Sequence, residues 1–293
     1  MRSGFAAIVG PTNSGKSSLV NALVGEKVSI VSPRPQTTYH GVRGIFTDEE
    51  AQIVFTDTPG LQNYRERVAQ LLNRVTERNV SEADAVVWVF DVAEESFLKK
   101  FERLKKRVVQ TPPEKTILVM NKVDKVAKPS LLPLLQRFHE MGLFRAIIPI
   151  SALKRDGLKN LVDEVKRILP EGTHFFPVEM KTDRSKQFQV TEWIREQAYH
   201  RLYDELPYSL WVELESWEEE ETQIKAHATI HVDGKSKKGM VIGKGGAKLK
   251  DIGSHAREGL TKKMGKKVSL FLNVHHEPEW QRDRNRLQVY LEL

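Results

Sequence analysis

The 293-residue sequence contains no cysteine. Disulfides and thiolate metal sites are therefore excluded, and any metal must be held by oxygen or imidazole. No apolar run approaches the length of a membrane-spanning helix. Met1-Arg2-Ser3-Gly4 passes directly into an apolar run, which leaves no room for a signal peptide, so a cytoplasmic protein is expected. Internal repeats and low-complexity tracts are missing as well. The length gives room for two domains, each with its own core. The 46 Lys and Arg outnumber the 39 Asp and Glu, for a formal charge of +7, which points to a polyanionic partner.

What is present begins with Gly10-Pro11-Thr12-Asn13-Ser14-Gly15-Lys16-Ser17. It follows the apolar run Phe5-Ala6-Ala7-Ile8-Val9 and opens into Ser18–Val24, which reads as a helix. Strand, glycine-bracketed loop, then a helix carrying Lys-Ser is the context of a phosphate-binding P-loop. The backbone N–H groups of Asn13 to Ser17, with Ser18 on the same turn, are expected to wrap a phosphate. Unpaired donors and the helix dipole favour an anion there. Lys16 is expected to reach the β- and γ-oxygens of a nucleotide, and the Ser17 hydroxyl to hold magnesium.

Val42–Thr47 and Ala51–Thr56 flank Asp48-Glu49-Glu50 and predict a β-hairpin. The second of these strands runs into Asp57-Thr58-Pro59-Gly60, where an acid at the end of an apolar strand can hold magnesium and the Gly60 N–H can meet a γ-phosphate. Further strands are expected at 85–91, 115–120 and 145–150, with helices at 64–83, 97–107, 130–141 and 158–169 between and after them. The 115–120 strand ends in Asn121-Lys122-Val123-Asp124. The Asp124 carboxylate can accept from guanine N1–H and the 2-amino group, a pair that adenine lacks. Ser151-Ala152-Leu153 follows the last strand, where the Ala152 N–H can meet guanine O6. Strands alternating with helices predict a mostly parallel α/β sheet, with its ligands at the strands' carboxyl ends.

The order of Gly10–Ser17, Thr37-Thr38, Asp57–Gly60, Asn121–Asp124 and Ser151–Leu153 resembles the Era group of translation-factor-class GTPases. The resemblance implies that Thr37 and Thr38 are the switch I threonines, one of them closing on magnesium. It also implies switch II around Leu61 to Arg67. Many GTPases carry a glutamine just after the Asp57–Gly60 motif to orient the attacking water, and Leu61 cannot do that. The related group with a hydrophobic residue here uses other means, including a potassium ion held partly by the P-loop asparagine. Asn13 matches that position and is the candidate potassium ligand. The catalytic set implied is Lys16, Asn13, Thr37, Thr38 and Gly60. Tyr39 stands where arginine commonly follows the threonine pair, and Ser14 where valine is common.

In the second half, 170–187 reads as a connector, and a helix is expected from 190 to 206, ended by Pro207. Leu210–Glu215 and Thr222–Val232 alternate as an antiparallel pair, with Glu218–Glu221 as a solvated tip. Ile242-Gly243-Lys244-Gly245-Gly246 then resembles the Gly-x-x-Gly clamp of KH domains, where the loop backbone approaches single-stranded nucleic acid. Lys238, Lys244, Lys248, Lys250 and Arg257 surround it and suit a phosphate backbone. Helix–strand–strand–helix–helix–strand, closing at 268–274, is the order of the type II KH fold. The division expected is a GTPase domain over 1–171, a linker over 172–187, a KH domain over 188–276 and a tail over 277–293 that alternates like a strand near its end.

The resemblance implies a monomeric GTPase that binds GTP and GDP with Mg2+. It implies recognition of small-subunit (16S) rRNA near its 3′ end during assembly of the 30S subunit, and peripheral association with the inner membrane face. One alternative is a nucleotide-gated RNA-binding scaffold with negligible turnover, which Leu61 keeps open. Another is a different KH-linked ribosome-assembly GTPase. The tandem type is disfavoured by the single P-loop.

Overall fold

The computed structural model describes residues 1–32, 34, 38–39, 41–61, 67–203, 206–278 and 280. Two compact units divide it. The first holds Met1–Val31 and Thr38–Asp183, and the second takes up at Arg184.

In the first unit the strands are β1 (Arg2–Val9), β2 (Val42–Thr47), β3 (Ala51–Asp57), β4 (Ala85–Asp91), β5 (Thr116–Asn121) and β6 (Ala146–Ile150). They form one sheet in the order β2-β3-β1-β4-β5-β6, with only β2 antiparallel to its neighbour. Helices α1 (Lys16–Val24), α2 (Arg67–Glu82), α3 (Phe97–Val108), α4 (Lys128–Glu140) and α5 (Leu158–Ile168) connect and cover the strands. Nearly continuous apolar strands are what a sheet covered on both faces requires. Alternate residues serve the two faces. Ile8, Phe55, Val87 and Val119 pack with Leu19 of α1 and Leu161 of α5. Val9, Trp88, Phe90 and Met120 pack with Phe101 of α3 and Phe138 of α4. The rings of Phe101 and Phe138 meet edge to face, with centroids 4.8 Å apart, an arrangement favoured by the ring quadrupoles.

Helix α4 starts two residues earlier than expected, with Pro129 in its first turn, where a missing N–H costs nothing and φ is already set. Residues 172–183, read as a connector, are pinned to this unit. Gln52, fully buried, accepts from the N–H groups of Phe175 (2.7 Å) and Phe176 (2.9 Å) and donates to the Phe176 carbonyl (2.9 Å). The Ile45 N–H also donates to the Lys181 carbonyl, at 2.8 Å.

The second unit runs α6 (Lys186–Arg201), β7 (Leu210–Glu219), β8 (Gln223–Val232), α7 (Lys235–Ile242), α8 (Ala247–Met264) and β9 (Lys267–His276). This is the element order expected for a type II KH fold. Strands β7 and β8 pair antiparallel, and β9 joins β8 in parallel. Ile194, Ala198 and Leu202 share the core with Ile230, Ile252 and Leu260. Helix α6 begins at the cap Ser185, whose side chain accepts from the Phe188 N–H at 3.1 Å. It ends at Arg201 rather than at Pro207. Leu202 turns extended with its side chain fully buried, and Pro207 belongs to a separate 3-10 turn, Leu206–Ser209.

Strand β7 runs further into the acidic tip than the sequence indicated, to Glu219, whereas β8 starts one residue later than expected, at Gln223. Glu219 accepts from Lys186 and Lys266, both at 2.8 Å. Hydrogen bonds from those two ammonium groups bring its carboxyl down to about 2. The strand-like pattern of 287–293 lies outside the described residues.

Candidate functional site

The sequence motifs of the first unit gather where parallel strands of the sheet end. Strand β1 gives way to the loop Gly10–Gly15, which turns into α1 at Gly15 with φ +92°. A Cβ on Gly15 would lie 2.3 Å from Asn121 Nδ2, so glycine is required by both conformation and space. Lys16 folds into the loop, and its Nζ donates to the carbonyls of Pro11 (2.8 Å) and Gly10 (3.3 Å). Burial lowers its ammonium to about 8, against the opposing pull of Asp57. Asn13 is exposed at a left-handed φ of +62°, and Ser14 is buried.

Ser17, Thr38 and Asp57 converge beside Lys16. Ser17 Oγ lies 3.2 Å from Thr38 Oγ1, which donates to Asp57 Oδ2 at 3.3 Å. Burial pushes the Asp57 carboxyl up, while Lys16 and the Ser29, Ser17 and Thr38 hydroxyls pull it down. Asp57 Oδ1 is buried with no hydrogen-bond partner among the described residues. Such an oxygen-only donor set with an unused carboxylate oxygen fits a hard divalent cation. Thr37 lies outside the described residues, as do 62–66 of the expected switch II.

The Asp57–Gly60 turn is tied to the loop. Thr58 Oγ1 donates to the Ile8 carbonyl at 2.8 Å, and the Leu61 N–H to the Gly10 carbonyl at 3.0 Å. Pro59 accepts from Thr76 Oγ1 at 3.1 Å, and Gly60 lies against Thr12. The Leu61 side chain is buried with Val9 and Trp88, so it faces the core.

At the end of β5, Asn121 Nδ2 donates to the Ser14 carbonyl at 2.9 Å, and its Oδ1 accepts from the Ala152 N–H at 3.2 Å. Lys122, at φ +64°, sends Nζ to the Asn13 carbonyl (2.9 Å) and to Asp91 Oδ2 (2.6 Å). Val123 and Asp124 form a 3-10 turn. Ser151 Oγ donates to Asp124 Oδ1 at 2.6 Å, the leading cause of that carboxyl's lowered pKa. Leu153 stands exposed beside them.

Two participants escaped the sequence reading. Ser29 Oγ donates to Asp57 Oδ2 at 2.7 Å, and no motif marks it. Asp91, the partner of Lys122, ends β4 level with Asn121. An acid at a strand's carboxyl end is the same signal that marked Asp57.

In the second unit Ile242 ends α7 and Gly243, Gly245 and Gly246 all take positive φ (73°, 59° and 79°), so the loop turns tightly into α8. A Cβ on Gly243 would sit 2.8 Å from Lys248 Cβ. Lys244, Lys250 and Arg257 are exposed, and Lys238 is half-buried. Lys248 Nζ lies over the Tyr203 ring, 4.9 Å from its centroid. The expected clamp residues thus occupy one loop and the two helices that flank it.

The family model for a 50S ribosome-binding GTPase matches residues 5–122, and the KH domain model matches residues 205–281. GTPase Era of Desulfovibrio desulfuricans is 40% identical over 289 residues, covering 96% of this chain and 94% of the relative. That of Coxiella burnetii is 42% identical over 287 residues, covering 97% and 95%. Among solved structures, Era in complex with MgGDPNP and nucleotides 1506–1542 of 16S ribosomal RNA aligns with a TM-score of 0.92 at 33% identity, over 99% of this chain and 98% of that one. An Aquifex aeolicus Era variant bound to GDP·AlF4− gives the same TM-score and identity, over 99% of each chain. Matched by these relatives over nearly its whole length, the chain belongs to the GTPase Era family.

Proposed function

We propose that this protein hydrolyses GTP in the first unit, binds 16S rRNA near its 3′ end through the second, and serves assembly of the 30S subunit under control of the GTP or GDP state. The observation that carries the nucleotide half is the pair of direct bonds joining the Asn121–Asp124 loop to the phosphate loop, Asn121 to Ser14 and Lys122 to Asn13. They hold the base-reading and phosphate-reading groups in one frame. The RNA half rests on the cation-flanked Gly243–Gly246 loop and on the relative solved with 16S rRNA nucleotides.

In this reading the loop N–H groups and Lys16 take the phosphates, Asp124 reads guanine N1–H and the 2-amino group, and the Ala152 N–H exchanges its 3.2 Å bond to Asn121 Oδ1 for guanine O6. Ser17, Asp57 and a switch I threonine (Thr37 or Thr38) would hold Mg2+, which would neutralise phosphate charge. Asn13 would bind K+, an assignment supported by its place in the loop and by the inward-facing Leu61. The site is read as a 1–171 GTPase domain and the clamp as a 188–276 KH domain. The chain is taken as a monomeric, cytoplasmic factor. Its net charge of +7 also supports peripheral contact with the anionic inner membrane face.

The test is phosphate release from GTP with and without a 16S 3′-end oligonucleotide, in potassium and then in sodium. Faster release with RNA and potassium is expected. Negligible release under every condition would leave only a nucleotide-gated RNA-binding scaffold. Equal rates in sodium and potassium would remove K+ from the reading.

A further inference from the structure

Beneath α2 lies a cavity of about 420 Å³, separate from the phosphate cup and walled by α2, β4 and the end of α3. Its volume is within the range of small-molecule sites. Leu61, Val80 and Trp88 give it an apolar lining, and Arg107 and Lys115 are also among its lining residues. Arg107 is already paired with Glu77 at 3.1 Å. Lys115 is exposed and has no carboxylate partner among the described residues. The lining therefore carries one uncompensated positive charge.

The second observation is at Trp88. Its side chain is 2% exposed, and its indole Nε1 is buried with no acceptor among the described residues. A buried donor left without a partner is costly, and an occupant that supplied an acceptor would recover that cost once a small turn of the ring brought Nε1 to the cavity surface. An apolar wall with an idle N–H and a free ammonium calls for one ligand chemistry: a ring or short hydrocarbon body ending in a carboxylate or sulfonate.

The cavity also touches the nucleotide machinery through two residues. Leu61 follows the Asp57–Gly60 turn directly, and Thr76 of α2, another lining residue, is bonded to the Pro59 carbonyl. We infer that the cavity is a second ligand site, for a small amphiphilic anion, and that filling it changes GTP turnover by fixing Leu61 and α2. The turnover effect rests on the hydrolysis proposed above; the binding does not.

The probe is 1-anilinonaphthalene-8-sulfonate, titrated into the full-length, GDP-bound protein. Fluorescence reads affinity, and the indole N–H region of a 15N-labelled sample reads contact. Of the five tryptophans, the signal missing in Trp88→Phe should move downfield and saturate at one probe per chain. Val80→Trp, which fills the cavity, should weaken binding tenfold or more at unchanged GDP affinity. Trp88→Phe should weaken it about fivefold through the lost hydrogen bond, and Lys115→Gln should weaken it as well. An unmoved Trp88 signal at saturation, or wild-type affinity in Val80→Trp, would overturn the site. Saturating probe should alter phosphate release in the wild type and not in Val80→Trp. An equal change in both would overturn the coupling while leaving the hydrolysis itself intact.

Discussion

Lys16 should take up a proton when nucleotide binds. Without phosphate its ammonium is buried against two carbonyls, and its pKa falls from 10.5 to about 8 because burial outweighs the attraction of Asp57. A phosphate in the cup restores the charged form, since an opposite charge at contact distance raises an ammonium pKa. At pH 8 the free protein is then about half protonated at Lys16 and the complex almost fully so, giving an uptake of about 0.5 proton per nucleotide. The uptake should be about a tenth of a proton at pH 7 and should approach 0.8 near pH 8.5. Affinity should correspondingly weaken as pH rises above 8, approaching tenfold, or about 1.4 kcal/mol, per unit. The same shift has the opposite sign for the empty protein. Its folded pKa lies below the unfolded one, so the unfolded chain holds more protons between 8 and 10.5 and stability rises with pH across that window, by about 3 kcal/mol in full. The assay is calorimetric titration of GDP with Mg2+ in buffers of differing ionisation enthalpy, between about pH 7 and about pH 8.5 to keep guanine N1 protonated. Lys16→Arg, whose guanidinium stays charged throughout, should abolish the uptake. No proton uptake by the wild type would refute the reasoning, because the Pro11 and Gly10 carbonyls would then be holding Lys16 fully charged.

Asp124→Asn should move preference from guanosine to xanthosine nucleotides, read by competition binding; retained GTP preference would remove Asp124 from base recognition. Ser151→Ala frees the Asp124 carboxylate from its 2.6 Å hydrogen bond and should weaken GDP binding by about 1 kcal/mol, with no gain for xanthosine diphosphate. Replacing Gly243 and Gly246 together by aspartate forces side chains onto positive φ beside Lys248 and adds two negative charges to the loop. Affinity for the 16S 3′-end oligonucleotide should fall at least tenfold by filter binding while GDP affinity holds; equal loss of both would show that the two functions are not separable. Gln52→Ala removes four hydrogen bonds, three of them to Phe175 and Phe176 and one to Thr47 Oγ1, from a fully buried side chain. It should cost roughly 2–4 kcal/mol in chemical denaturation, and amide exchange should speed up at Phe175 and Phe176.

The first unit's strands, and the motifs at their ends, were legible because they depend on local pattern. Apolar runs such as Val86–Phe90 are buried from both sides, and a turn that must bind phosphate writes its glycines and its Lys-Ser into consecutive positions. Contacts made across long chain separations left no such trace. Gln52 reads as an ordinary polar residue in a strand, and only the fold brings Phe175 and Phe176 to it. Ser29 reaches Asp57 across 28 positions of the chain, and Glu219 is clamped by lysines far away in the chain. Proline misled at 207 because a proline following an apolar helical face can end a helix or build the next turn. Burial of Leu202 had already decided the matter five residues earlier.

The same distinction bears on how the site works. Each motif was recognised as a separate signal, yet in the folded chain the signals share atoms. Asn121 bonds the Ser14 carbonyl with one end of its amide and the Ala152 N–H with the other, and Lys122 spans Asn13 and Asp91. Losing Asn121 would therefore disturb more than the end of β5. It would leave the Ser14 carbonyl and the Ala152 N–H without their partner in a buried place, and would release the loop whose amides must point at the phosphates. In the function proposed above, guanine selectivity and triphosphate binding are thus two uses of one hydrogen-bonded frame, and defects in either should appear in both affinities unless, as with Asp124, the residue changed lies outside that frame.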